Sequence, residues 1–312
     1  MVKKDAQPAD YIQPLYINGM NGRMLSLPAP KNTNREILVL YGHHALLERW
    51  WGLVQNFNMY GAVTMPDLPG FGGMDGFHKI GQKATLDNYA DYLAAFIKMR
   101  YKRKRVTIVG ISFGFLVVTR MLQRYPELTK RVDLLVSAAG FMRKDDFIFS
   151  RRRYLAYRFG AGLMSVPPMP FIFRHVALNS RVLRAAYART SNAKHKFAQA
   201  NGQEEFDRMM DMEVKLWQEN DVRTYMQTTV QLLTVDNCQV PVDLPVWHVY
   251  TKHDHFFDHS IVEQHMRVVF REFYGAPIKL KSHTISVLAT KQDSADMIPA
   301  ALRRAIRKAE RV

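Results

Sequence analysis

The chain has 312 residues, 47% of them hydrophobic, which is enough for one large domain or a domain carrying an insertion and too apolar for a disordered chain. A single cysteine, Cys238, excludes an intrachain disulfide framework. Forty-four Lys and Arg against 28 Asp and Glu give a net charge of +16, a field that attracts anions of any kind, from nucleic acid to acidic lipid.

Residues 1–8 carry charge with no apolar run behind them, which argues against a signal peptide. The longest apolar stretch, Val106 to Thr119, is shorter than the ~20 residues that span a bilayer. A soluble, cytoplasmic protein is expected.

Tyr11–Ile17 and Arg23–Leu27 flank Asn18-Gly19-Met20-Asn21-Gly22 and predict two strands joined by a hairpin turn. Glu36–Tyr41 and Gly61–Met65 read as buried strands, the second stopped by Pro66. Thr85–Tyr101 has helical spacing, with Thr85 as N-cap. Arg105–Val109 predicts a strand, Phe113–Tyr125 a helix closed by Pro126, and Val132–Val136 a strand. This rhythm implies an α/β fold with a mostly parallel central sheet and helices on both faces.

From Phe141 to about Val230 the strand signals vanish and the chain reads as helical, interrupted by the proline-broken loop Ser165–Phe173. Strands return at Val246–Tyr250 and Pro277–Leu280, with Ser260 and Glu263 spaced as a capping box between them. A last helix is expected from about Ser294 to Arg311. The division that follows is a core of residues 1–140 and 231–312 and a helical insertion of residues 141–230.

Gly110-Ile111-Ser112-Phe113-Gly114 lies between a β-branched strand and an amphipathic helix, the setting of a nucleophile elbow. The serine must occupy a strained turn, and the residues two positions away on each side must be small. A serine nucleophile needs a base, and the base an orienting acid. Asp254 and His283 each lie just past a late predicted strand and are the expected acid and base, with Asp258 and Asp236 as fallback acids. Tyr41-Gly42-His43-His44 follows an early strand. The glycine there lets the backbone approach a substrate oxygen, so the amides of His43 and Phe113 are the expected oxyanion hole. His44 and Trp50 from this stretch, and Met164, Met169, Phe171 and Phe173 from the insertion, are the expected substrate-binding residues.

Pro66-Asp67-Leu68-Pro69-Gly70-Phe71-Gly72 resembles the D-x-P-G-x-G loop of the α/β-hydrolase superfamily. With the elbow, the acid loop and the histidine loop, four motifs match in order over about 200 residues, and the helical insertion matches the position of that family's cap. The resemblance is to the capped, esterase- and lipase-like branch. It implies a Ser-His-Asp triad, an acyl-enzyme and no cofactor. Two departures stand out: relatives usually have His-Gly where this chain has Tyr41-Gly42, and Gly before the catalytic His where it has Ser282.

The segment His253–His259 is similar to the H-x-H-x-D-H motif of metallo-β-lactamase-like enzymes, but its spacing is one residue too long, so no metal is expected. The basic run Arg100–Arg105 reads as a solvated loop without a nucleic-acid module. Residues 141–200 hold 12 Lys and Arg against Asp145 and Asp146, interleaved with aromatics, which suits peripheral contact with an anionic membrane. The expected activity is hydrolysis of a carboxylic ester with an apolar acyl group, such as a monoacylglycerol or lysolipid, by a monomer or homodimer. Carbon–carbon, amide and thioester hydrolysis use the same triad, and a non-enzymatic binding module could use the same fold.

Overall fold

The computed structural model describes residues 6–31, 33–189, 202–252, 254–279 and 290–309. Eight strands form one sheet: β1 (Ile12–Ile17), β2 (Met20–Leu27), β3 (Glu36–Leu40), β4 (Ala62–Pro66), β5 (Val106–Ile111), β6 (Val132–Ala138), β7 (Val242–Thr251) and β8 (Phe270–Ile278). Their spatial order is β1-β2-β4-β3-β5-β6-β7-β8. β1 and β2 pair antiparallel, β2 joins β4 antiparallel, and from β4 to β8 every pairing is parallel.

The hairpin turn is tighter than the five residues the sequence marks. Asn18 and Gly19 alone make it, both at positive φ, 53° and 80°, and Ile17 pairs with Met20. Two consecutive positive φ angles match the right-handed twist of the strands they join.

Helices α1 (Trp51–Asn58), α2 (Leu86–Tyr101) and α3 (Phe113–Arg124) follow β3, β4 and β5. Thr85 caps α2 by accepting the amide of Asn88. Every residue of β5 is buried, as a central parallel strand covered on both faces requires. Between β6 and β7 the chain is helical: α4 (Arg151–Met164), α5 (Met169–Val176), α6 (Ser180–Arg189), α7 (Gln203–Glu219) and α8 (Val222–Leu232). Helix α9 (His259–Val269) joins β7 to β8, and α10 (Lys291–Ser294) and α11 (Ala300–Ala309) follow.

Three late elements differ from the sequence reading. β8 starts at Phe270, directly after α9, because Phe270 at its helix end is already extended. The α9 N-cap is Asp258, whose carboxylate accepts the Ser260 amide, and not Ser260 itself. The last helix is broken at Ile298-Pro299, since a proline cannot continue an α-helix from inside it.

The sheet order sets the site. The chain leaves β3 toward β4 on one side and returns to β5 on the other, so a crevice opens at the carboxyl ends of β3 and β5. The loops after β3, β5 and β7 leave the sheet at that edge, with β5 and β7 two strands apart, about 10 Å.

Candidate active site

Ser112 joins β5 to α3 at φ 49° and ψ −113°, a conformation L-residues rarely adopt. Its neighbours explain the motif. A Cβ on Gly110 would lie 2.6 Å from Phe115 Cα, and one on Gly114 would lie 2.5 Å from the Leu40 carbonyl oxygen. Glycine at both positions is therefore a steric requirement of the turn. The Ser112 amide donates to Ala138 on the neighbouring β6 at 2.9 Å, which pins the elbow to the sheet. As N-cap of α3, Ser112 sits at the positive end of the helix dipole, and Phe113 carries the helix's first amide, which has no intrahelical acceptor.

The loop after β3 lies against the elbow. A Cβ on Gly42 would come within 3.3 Å of Ser112 Cβ, so glycine keeps the two backbones close. The next residue, His43, is enclosed by aromatic rings. It stacks on Tyr225 of α8 at 4.5 Å and meets Phe71 and Phe113 edge-on at 5.5 and 5.8 Å. Burial pushes its imidazole down to about 4, so it is neutral near pH 7. Its Nε2 lies 2.7 Å from Thr228 Oγ1, which donates onward to the Thr224 carbonyl; the hydroxyl therefore accepts from His43 Nε2–H. His44, at φ 56°, packs against Trp217 at 4.4 Å and receives a hydrogen bond from Asn220 Nδ2 at 3.0 Å. Asn220 also accepts the Gly72 amide at 2.8 Å, so one side chain ties the loop after β4 to the loop after β3.

Asp254 lies past the end of β7 with its side chain 1% exposed. Its Oδ1 accepts the amides of Phe256 and Phe257 at 2.8 and 3.3 Å, and its Oδ2 accepts His259 Nε2 at 3.0 Å. Asp258 is committed elsewhere, as the cap of α9. Asp236 accepts the Cys238 amide and pairs with Arg143. Of the three candidate acids, Asp254 is the one with a buried side chain past the carboxyl end of a parallel strand.

A strained serine on a strand-to-helix turn, at the switch point of a mostly parallel sheet, is the architecture that a family model for the alpha/beta hydrolase fold matches over residues 37–264. The chain belongs to the alpha/beta hydrolase fold family. Solved structures share the fold along nearly the whole chain. A thermophilic esterase from Thermogutta terrifontis superposes with a TM-score of 0.63 at 16% identity, covering 96% of this chain and 99% of that one. A structure from a study of carboxylesterases of Nitrososphaera gargenis gives 0.63 at 14% identity, covering 95% and 100%. The epoxide hydrolase CorEH gives 0.60 at 12% identity, covering 95% and 97%. At these identities the likeness is one of fold. Among curated sequences, an uncharacterized protein of Mycobacterium tuberculosis is 27% identical over 155 residues, 50% of this chain. The match spans 43% of that relative's length.

The remaining predicted residues of this alpha/beta hydrolase are placed unevenly. His283 and His253 lie outside the described residues. Trp50 does not face a substrate site: it is 1% exposed, packed in the main core. Phe171 is 66% exposed with its ring against His175 at 4.0 Å, so it is a surface residue and not a pocket wall. Phe173 instead joins a small core with Leu178, Leu183, Val214 and Val222 and touches Trp217. Met164 and Met169 are partly buried, and a crevice of ≈ 350 Å³ nearby is lined by Ala84, Val166, Pro167, Gln227 and Val230 instead. Sequence reading missed Tyr225, Trp217 and Thr228 against the loop after β3, and His248 and His259 behind Asp254. No local pattern marks them, because each acts across a long sequence separation.

Proposed function

We propose that the protein is a serine hydrolase that cleaves carboxylic esters. The observation that carries this reading is Ser112 at positive φ on the elbow, with Gly42 of the neighbouring loop against it. In the proposed mechanism Ser112 Oγ attacks the acyl carbonyl. His283, five residues beyond β8, takes the proton and returns it to the leaving group. Asp254 orients that imidazole and stabilises its charged form. The amides of His43 and Phe113 and the dipole of α3 stabilise the tetrahedral oxyanion. Water then cleaves the acyl-enzyme, so the cycle needs no cofactor. A neutral His43 keeps a positive side chain out of the oxyanion loop and leaves the task to backbone amides. Fluorophosphonate labelling tests the reading. Covalent modification at Ser112 is expected, and its absence would point to a binding module. A chelator is expected to leave the activity unchanged, because each step of the proposed cycle is carried by protein groups and water.

A second observation favours an apolar acyl group presented at an anionic surface. Residues 147–203 contain ten Lys and Arg and not one Asp or Glu. Asp146, just before them, is fully buried and paired with His265, so it offsets none of that charge at the surface. Ten of the seventeen large apolar side chains exposed among the described residues fall between Ile148 and Val182. Phe159 is 75% exposed, while Arg153 lies over the Phe149 and Tyr157 rings. Apolar side chains beside arginines suit the headgroup region of an acidic bilayer. The helices α4–α8 would then act as a cap that meets lipid on its outer face and touches the oxyanion loop through Tyr225 and Trp217. No helix among the described residues is long and apolar enough to cross a membrane. The lone Cys238 is in keeping with the cytoplasmic setting we propose. A p-nitrophenyl ester series reads the acyl preference: faster turnover of octanoyl than acetyl esters is expected, and the reverse would remove the apolar-acyl assignment.

A further inference from the structure

A chain of four side chains runs from the sheet core to Asp254. Ser137 Oγ on β6 is 2.9 Å from His248 Nδ1 on β7. His248 Nε2 is 3.3 Å from His259 Nδ1, and His259 Nε2 is 3.0 Å from Asp254 Oδ2. Ser137 and His248 are fully buried, and the His259 side chain is 9% exposed. The Tyr250 ring, 4.9 Å away, and the His248 ring, 5.4 Å away, hold the His259 imidazole in place.

The proton inventory fixes the last bond of this chain. An ionised carboxylate only accepts, so His259 Nε2 must carry a hydrogen. With His259 neutral, its Nδ1 accepts from His248 Nε2–H, and His248 Nδ1 accepts the Ser137 hydroxyl. With His259 charged, its Nδ1–H turns to His248 Nε2, and His248 Nδ1–H turns to Ser137 Oγ. Burial holds His248 down at about 3, so it always has one donor and one acceptor and serves either pattern. In both patterns His259 Nε2–H stays on Asp254. Two amides already hold Oδ1, and His259 holds Oδ2. These donors constrain the plane of the carboxylate, so the imidazole it orients meets it in a restricted geometry.

We propose that His259 is a positioning residue for catalysis: its Nε2–H clamps Asp254 so that the carboxylate presents a fixed lone pair to the catalytic imidazole. Ser137 and His248 keep His259 in the ring orientation that does so. The inference rests on reading Asp254 as the orienting acid.

The test measures kcat, KM and Tm on a short soluble p-nitrophenyl ester for H259F and H259Q. H259F keeps the ring volume and stacking but has no donor. Its kcat should fall about tenfold or more, the loss expected for a hydrogen bond to a charged group, with KM changed less than about twofold. H259Q places an amide N–H at similar reach and should recover to within about threefold of the parent rate. A kcat for H259F within about twofold of the parent overturns the proposal, as does an H259Q variant as slow as H259F while both melt like the parent. Should H259F fail to fold, H259Q and H259N carry the same contrast, because Asn is one methylene short of the carboxylate; equal rates for those two overturn the proposal. D254N separates the two levels: an active D254N removes the acid assignment itself, whatever the His259 variants show.

Discussion

The Tyr41 hydroxyl donates to Asp67 Oδ1 at 2.9 Å and accepts the Leu68 amide at 2.7 Å. Tyr41 uses both roles of its hydroxyl to seat the loop after β4. Asp67 is fully buried and also takes Arg23 Nε at 3.1 Å. Gly72, at φ 62°, leaves no room for a side chain, since its Cβ would lie 2.0 Å from Asp67 Oδ1. Tyr41→Phe leaves a buried carboxylate short of one donor and a buried amide short of its acceptor. A loss of about 1–3 kcal/mol in urea-derived stability is expected. An unchanged midpoint would mean that Arg23, Asn220, Tyr89 and Tyr92 seat the loop without Tyr41.

Ser112→Ala should fold as the parent does and lose fluorophosphonate labelling and esterase activity together. Retention of more than a few per cent of the rate would reassign the nucleophile. Asp254→Asn should lower kcat by about 10⁴, the effect of removing the orienting carboxylate in serine proteases. Asp258→Asn should leave kcat near the parent value and cost about 1 kcal/mol or less of stability, because that residue caps α9. The opposite ranking of the two variants would move the acid to Asp258.

Two imidazoles, His248 fully buried and His43 partly so, make stability fall with acidity. Burial pushes His43 down to about 4 and His248 to about 3, against a usual value of 6.5. The unfolded chain protonates both rings near pH 6.5, and the folded protein resists doing so until much lower pH. The folded values lie below the unfolded ones, so this stability is complete above about pH 6.5 and drains as pH falls toward 4 and 3. Each ring removes up to about 1.4 kcal/mol per pH unit within that window. Denaturant titrations at pH 7.5 and 5 should therefore differ by roughly 2 kcal/mol per ring. His43→Gln should remove its share of the difference. A flat profile over that range would show that water reaches both rings.

Sedimentation with phosphatidylglycerol vesicles reads the outer face of α4–α6. Binding at low salt and release at high salt are expected, with each arginine near the surface contributing on the order of 1 kcal/mol. Replacing Arg151, Arg152 and Arg153 together by Gln, or Phe159 by Ser, should weaken binding and leave hydrolysis of a short soluble ester unchanged. Without binding at low salt, the basic, apolar face would have no lipid partner.

The elbow, the alternation of strand and helix and the D-x-P-G-x-G loop were legible in the sequence because each is a local requirement. Gly110, Ser112 and Gly114 are fixed by one turn's sterics, and the apolar runs of β3, β5 and β6 by burial on both faces. The order of the strands, and therefore which loops meet, is a non-local choice that periodicity does not report. That choice sets Tyr225 against His43, 182 residues apart in the chain, and places His248 and His259 in line behind Asp254. It also decides that Trp50 turns into the core and Phe171 out to solvent. A hydrophobic or aromatic residue reads the same in sequence whether it faces a core, a ligand or water. Only packing tells these apart, because the free energy of burial depends on the partner surface and not on the residue alone.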